Sequence, residues 1–116
     1  MSNQTAINDL LTAYEVDVRF PDVSGMEHLD MLLTRSTLAQ AADDHTLTVQ
    51  QRVRLAEADR VLASQAGRFY QAIRRIADLE AWRQQEGAPP EQWWWYLDVL
   101  AQAPLVATAE FTAIAA

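Results

Sequence analysis

Residues 49–86 read VQQRVRLAEADRVLASQAGRFYQAIRRIADLEAWRQQE, and this stretch decides the fold. At 100° per residue, its apolar side chains share about a third of the helical circumference. They are Leu55, Ala58, Leu62, Ala66, Phe69, Ile73, Ile76 and Ala77. The pattern predicts one amphipathic helix with Phe69 as a buried anchor.

Both ends of this helix carry terminal signals. Thr48 and Gln51 match a capping box at the start, and Gly87 followed by two prolines is a strong stop. At 1.5 Å per residue, a helix over residues 49–86 would span about 57 Å. The other segments must pack along this rod or leave part of it uncovered. Gly67 is the expected place for a bend or a close crossing, because an interior glycine weakens a helix.

Three shorter helices are predicted around the rod. Residues 2–14 suit a first helix, because their apolar residues recur at helical spacing. Residues 16–23 break that period, so we expect an extended connector with Phe20 in the core. Residues 91–103 suit a last helix that returns along the C-terminal half of the rod.

The second helix has the clearest start. Ser24 and Glu27 match a capping box that opens a helix to about Ala42. Met26 and Leu29 belong to one apolar face of this helix, and Leu38 belongs to another. A helix that is apolar on two sides is usually packed between two partners. We expect it to lie antiparallel to the long helix across the turn at residues 43–47.

These elements predict an all-α fold. We expect a single domain over residues 1–116, built as a bundle of about four helices on one long central helix, residues 49–86. Residues 105–116 follow neither a helical nor a strand period, and we expect a weakly ordered tail there.

The amino-acid composition excludes several kinds of site and of cellular location. Half of the 116 residues are apolar, and the chain has no cysteine, which excludes disulfides and thiolate metal sites. No signal peptide is visible and no apolar run approaches the ~20 residues that cross a bilayer. We therefore expect a cytoplasmic protein with no membrane contact.

The net charge of −7 is unevenly distributed. Residues 1–48 carry eight acidic residues against two arginines, whereas residues 49–86 carry seven arginines against five acidic residues. An acidic chain repels nucleic acid unless a basic face is segregated. Because the arginines are spread around the long helix, we expect no nucleic-acid binding.

Trp93, Trp94, Trp95 and Tyr96 form an unusual run of adjacent aromatic residues. Successive helical residues point about 100° apart, so four such rings cannot all enter one core. The helical projection places Trp93 and Tyr96 inward, Trp94 at the edge of that face, and Trp95 outward beside Asp98. Exposed tryptophan is enriched at interaction hot spots. Trp95 is therefore a candidate contact residue, the alternative being a tryptophan that is merely exposed.

The long helix shows a similar anomaly, because three apolar residues lie on its polar side. Either the last helix covers them or a second protein chain does. With the residues around Trp95 they complete the predicted partner-binding set. That set is Val61, Leu79, Trp82, Trp94, Trp95 and Asp98.

No catalytic pattern is present in the sequence. The two histidines, His28 and His45, are too few for a zinc site without cysteine, and the repeated Glu-x-x-His of a carboxylate-bridged metal pair is absent. Both histidines are expected to be solvated or first-turn polar residues. Glycine-rich phosphate loops and nucleophile motifs are absent too. We expect no enzyme activity, no cofactor and no metal.

The sequence thus favours a non-enzymatic interaction module: an adaptor, an assembly subunit, or an acidic binder of a basic partner. The expected partner is another protein or a second copy of this chain in a homodimer. The alternative is a regulator that binds a small apolar ligand among its tryptophans.

Overall fold

The computed structural model describes residues 2–102 of the chain, with side chains from residue 4 onward. Over that range the regular structure is helical throughout. It comprises α1 (Ser2–Asp17), α2 (Gly25–Asp43), α3 (Val49–Ser64), α4 (Ala66–Arg74), α5 (Leu79–Gln85), a 3-10 helix (Trp93–Tyr96) and α6 (Leu97–Gln102). The all-α prediction is confirmed, and the elements form one globule. None of these helices has the length and apolarity needed to cross a bilayer. The predicted tail at residues 105–116 lies outside the described residues.

The prediction of one continuous helix over residues 49–86 is wrong. The first interruption falls at Gln65, whose φ of −113° and ψ of 18° leave the helical region. A second separates α4 from α5. The longest dimension of the molecule is 40 Å, shorter than the ~57 Å of an unbroken rod. The breaks let α4 pack against both α2 and α6, so the apolar stripe is buried without a single long helix.

Asp78 explains the second interruption. Its side-chain Oδ1 accepts hydrogen bonds from the backbone N–H groups of Glu80, at 3.0 Å, and Ala81, at 3.4 Å. An aspartate in this position starts a new helix, because it satisfies N–H groups that lack an intrahelical acceptor. Gly67 lies two residues beyond the first interruption. A Cβ added to it would lie 3.9 Å from the Cβ of Ala101, so this glycine faces α6.

The predicted helix starts and stop are confirmed. Ser24 Oγ accepts from the backbone N–H of Glu27 at 3.3 Å, and the Glu27 carboxylate accepts from the Ser24 N–H at 3.2 Å. Thr48 and Gln51 form the same reciprocal pair at the start of α3, at 3.1 and 2.8 Å. Gly87 adopts a φ of +61° just beyond α5, the conformation that glycine supplies at helix ends.

Helix α2 packs between other helices, as its two apolar faces predicted. Leu29, Met31, Leu32 and Leu38 are all buried, and they cover both faces. The most extensive contacts of α2 are with α1, α4 and the 3-10 helix, and an ion pair joins it to α3. The expected antiparallel partner was the long helix as a whole. The observed contact with its central part, α4, follows from the break at Gln65.

The segment after α1 differs from the prediction. The helix continues to Asp17, so residues 16–23 do not form an extended connector. Val18 is buried, and Phe20, expected in the core, is 56% exposed. The reason is helical spacing: the inward face of α1 runs through Leu11 and Tyr14, and the next position on it is Val18.

Helices α1 and α3 run parallel and are joined by polar side chains. The Gln51 amide donates to the side-chain oxygens of Gln4, at 3.0 Å, and Asn8, at 2.8 Å. Further along both helices in the same direction, Arg54 donates to the Glu15 carboxylate at 2.6 Å. These bonds fix the register of the two helices.

Gly25 permits a close approach between the start of α2 and the end of α4. A Cβ at this position would lie 2.5 Å from the carbonyl oxygen of Ala72 and 2.8 Å from Cγ1 of Ile76. The start of α2 therefore presses against the end of α4, and only glycine fits without moving the backbone. This crossing places the loop before α2 beside α4.

Phe69 is fully buried, as predicted, and it provides a test of the core. Phe69→Ala should lower the free energy of unfolding by ~3–5 kcal/mol, because it removes apolar contacts and leaves a cavity. Urea denaturation measures this. Phe20→Ala is the matched control, and its exposed ring predicts a change within about 0.5 kcal/mol. Equal losses in the two variants would contradict the assignment of Phe69 to the core.

Candidate interaction surface

The tryptophan run is oriented differently from the prediction. Trp95 is fully buried and Trp94 is 3% exposed, whereas Trp93 and Tyr96 are half-buried. The prediction of an exposed Trp95 is wrong because the segment is a 3-10 helix. Three residues per turn place positions 93 and 96 on the same side and turn the two residues between them inward.

Ser36 on α2 fixes both inward indoles. Its Oγ accepts a hydrogen bond from Trp94 Nε1 at 3.0 Å and another from Trp95 Nε1 at 2.9 Å. Buried indole N–H groups need such an acceptor. The two rings are therefore components of the core, with their polar atoms already satisfied.

Asp98 is held in an intramolecular ion pair. Arg83 on α5 donates to the Asp98 carboxylate at 2.8 Å and to the backbone carbonyl of Trp95 at 3.1 Å. The guanidinium also stacks over the Tyr96 ring, 4.4 Å from its centroid. The hydrogen bond to Asp98 raises the pKa of Arg83. This group of contacts attaches α5 to the start of α6.

The remaining members of the predicted set are also engaged in packing. Leu79 is buried, and Val61 and Trp82 are half-buried against the core. The structure therefore does not assemble the six predicted residues into one exposed surface.

The interior contains a network of charged and polar groups. The Asp59 carboxylate accepts from Tyr14 Oη at 2.6 Å and from Arg35 Nε and Nη2 at 2.8 and 3.0 Å. The Arg35 guanidinium lies over the Trp94 ring, 4.0 Å from its centroid, and its Nη1 has no hydrogen-bond partner among residues 4–102. Burial, followed by the nearby Asp59 charge, raises the pKa of Tyr14 well above its ordinary value.

This network is suited to structure rather than to proton transfer. Asp59 already accepts three hydrogen bonds, so its carboxylate has little capacity left to act as a base. It joins α1, α2 and α3 through one residue from each. Arg35 also connects them to the 3-10 helix through Trp94.

The two histidines lie apart from each other. His28, expected to be solvated or a first-turn polar residue, lies in the first turn of α2 but is buried. Its Nε2 is 3.0 Å from the carbonyl oxygen of Pro21, and its ring meets Phe69 edge-on with centroids 4.6 Å apart. His45 is exposed in the turn before α3. Among the residues described, no three His, Asp or Glu side chains are grouped to hold a metal ion.

An exposed apolar cluster surrounds the start of α2. We define it as Phe20, Val23, Met26 and Ile76, with exposed fractions of 56, 43, 60 and 50%. Phe20 and Val23 line one small cavity, and Ile76 lies against the residue preceding Met26. Helical periodicity assigned Met26 and Ile76 to buried faces. The exposure of Ile76 could have been anticipated from Asp78. A new helix that starts at Asp78 ends the preceding helix, so the residues just before it need not follow the buried stripe.

A groove adjoins this cluster along α4. Its volume is about 650 Å³, and we name it the α4 groove. It is lined by Pro21, Asp22, Val23, Gly67, Arg68, Gln71, Ala72, Arg75 and Ala101. Val23 belongs to both features, so the groove and the apolar cluster form one continuous surface.

Ser36→Ala tests the double acceptor. It should lower the free energy of unfolding by ~1–3 kcal/mol, because two buried indole N–H groups lose their hydrogen bonds. Thr37→Ala is the control: the Thr37 hydroxyl bonds to the Leu33 carbonyl at an exposed position. The two proteins are compared by urea denaturation. A Ser36→Ala variant as stable as Thr37→Ala would show that these bonds contribute nothing.

Tyr14 predicts a loss of stability in alkali. Its pKa is raised in the folded chain, so the folded state keeps a proton that the unfolded state releases above about pH 10. The stabilisation is complete below that pH and is lost as the pH rises further. Tyr14→Phe should therefore flatten the fall of unfolding free energy by ~1.4 kcal/mol per pH unit above pH 10. Identical slopes in urea titrations of the two proteins would contradict the prediction.

Among the described residues, the apolar cluster and the α4 groove combine exposed large apolar side chains with an adjoining concave surface. No family model, no curated protein and no solved structure matches the chain, so these features carry the functional argument.

Proposed function

We propose that this chain is a non-enzymatic helical protein–protein interaction module, an adaptor or assembly subunit, that binds its partner through the apolar cluster. The observation that carries the proposal is the exposure of Phe20 with three other large apolar side chains around one helix start. Single exposed apolar residues are normal on a protein surface. Several together mark an interaction site, because their contact with water is unfavourable.

The charges around the cluster suit an interface. Asp17 and Glu27 lie on one side of it, in the cavity lined by Phe20. Arg68 and Arg75 lie on the other side, in the α4 groove. An apolar centre with a charged rim is the usual arrangement at protein interfaces. The mixed signs favour an adaptor over a purely acidic binder of a basic partner.

The buried titratable groups do not favour a catalytic function over this proposal. Asp59 is bonded to Tyr14 and Arg35, and the His28 ring contacts a backbone carbonyl. Each of these groups has a structural partner.

The small-ligand alternative has weaker support. The cavity beside Trp94 has a volume of about 320 Å³, but its lining includes Arg35, Asp43, Glu91 and Gln92. Charged walls suit a polar ligand better than the apolar one that the tryptophans suggested.

A second copy of the chain remains a candidate partner. An unbroken rod over residues 49–86 would leave apolar surface uncovered and so favour a dimer, but the breaks in that helix remove this reason. The reason is now the cluster itself, since a twofold axis could pair two such patches. A competing exposed pair, Val49 and Val53, lies on α3.

Site-specific photo-crosslinking tests the proposal. A benzophenone amino acid replaces Phe20 in one variant and the exposed Val53 in another, in cells that express the chain naturally. Irradiation should give a defined covalent adduct from position 20 and none from position 53. Mass spectrometry then distinguishes a different protein from a second copy. Adducts from position 53 alone, or from neither position, would contradict the proposal.

A further inference from the structure

We infer that the α4 groove receives an acidic amphipathic helix of the partner protein, with two carboxylates spaced two turns apart. The inference rests on the proposed function, because it specifies the chemistry of the partner. Three features of the groove carry it: the spacing of its arginines, their state of pairing, and the small side chains on its floor.

The spacing of the arginines is helical. Arg68, Gln71 and Arg75 follow one another at i, i+3 and i+7, and Arg75 continues the helical backbone with φ −70° and ψ −24°. Side chains at these positions lie on the same face of a helix. Their Cα atoms rise by about 10.5 Å between Arg68 and Arg75. Carboxylates seven residues apart on a second helix have the same separation.

The charges of this pair are available to a partner. Arg75 has no ion pair within residues 4–102. Arg68 pairs with Asp22 at 2.5 Å, but both side chains are more than half exposed. Such a surface pair is weak and can exchange one carboxylate for another. By contrast, Arg35 and Arg83 are committed to ion pairs that are largely buried.

The floor of the groove allows a helix to approach closely. Gly67, Ala72 and Ala101 line it, and none of these side chains extends beyond a methyl group. Val23 supplies an apolar wall that leads into the cluster. A helix with apolar residues on one face would bury them against Val23 and the small residues. Its carboxylates would then reach the arginines at the rim.

The test uses the full-length chain with the benzophenone amino acid at Gln71, inside the groove. The captured segment is sequenced by mass spectrometry. We expect a partner segment with apolar residues at helical spacing and acidic residues seven positions apart. The peptide with that sequence is then synthesised, and its affinity for the unmodified chain is measured by fluorescence anisotropy.

Charge reversal identifies the contact. Arg75→Glu should weaken binding of the synthetic peptide about tenfold or more, since it places like charges together. Arg52→Glu is the control, because Arg52 is exposed on α3 and away from the groove, and its affinity should be unchanged. If Arg75→Glu fails to fold, Arg75→Gln replaces it, with a smaller loss expected. Equal affinities for the groove variant and the control would overturn the inference.

The two proposals fail separately. An adduct from position 20 without one from position 71 would overturn the groove inference and leave the interaction module standing. Adducts from neither position would remove both. Capture at position 71 of residues 103–116 of the same chain, of a second copy, or of a segment without the paired acidic residues would also overturn the inference.

Discussion

The Asp59 carboxylate is the group on which the arrangement of the helices depends. It lies in the interior and receives hydrogen bonds from Tyr14 on α1 and Arg35 on α2. Removing one partner of such a buried charge typically costs 3–5 kcal/mol, because the other charge is left without compensation. The next residue on α2, Ser36, binds both inward indoles. The adjacent residues Arg35 and Ser36 thus connect α1 and α3 to the tryptophan segment. A different register of α2 against its neighbours would leave the polar groups bonded to these two residues without partners.

Much of the fold follows from local sequence chemistry. The all-α class, the capping boxes at Ser24 and Thr48, and the stop at Gly87 depend on a few neighbouring residues and were predictable. The apolar stripe was correct as far as Ile73. The break at Gln65 falls two residues before Gly67, where a bend was expected. The full separation of the helices there and the second break, after α4, were missed because apolar periodicity continues through them. In the sequence, Asp78 was recognisable as a residue that can start a helix. The break at Gln65, by contrast, depends on tertiary packing against α2 and α6.

The candidate site was harder to predict, because exposure depends on where each helix ends. One projection at 100° per residue placed Trp95 outward, yet the 3-10 geometry of residues 93–96 turned it inward. The prediction that Phe20 is buried was wrong for a related reason. Helix α1 is longer than predicted, and Val18 occupies the core position instead. The apolar cluster combines residues from two distant parts of the chain. No periodicity within a single segment could have brought Ile76 to the start of α2, beside Gly25.

The parallel packing of α1 and α3 determines when the chain can fold during synthesis. Tyr14 and Asp59 are 45 positions apart, and Asn8 and Gln51 are 43 apart. Residues 1–48 therefore leave the ribosome before the groups that hold α1 in place have emerged from it. Packing α1 on α2 at that stage would bury Arg35 without its carboxylate, which is unfavourable. Stable folding is thus delayed until α3 emerges, and the excess of acidic residues in residues 1–48 helps to keep that segment soluble meanwhile.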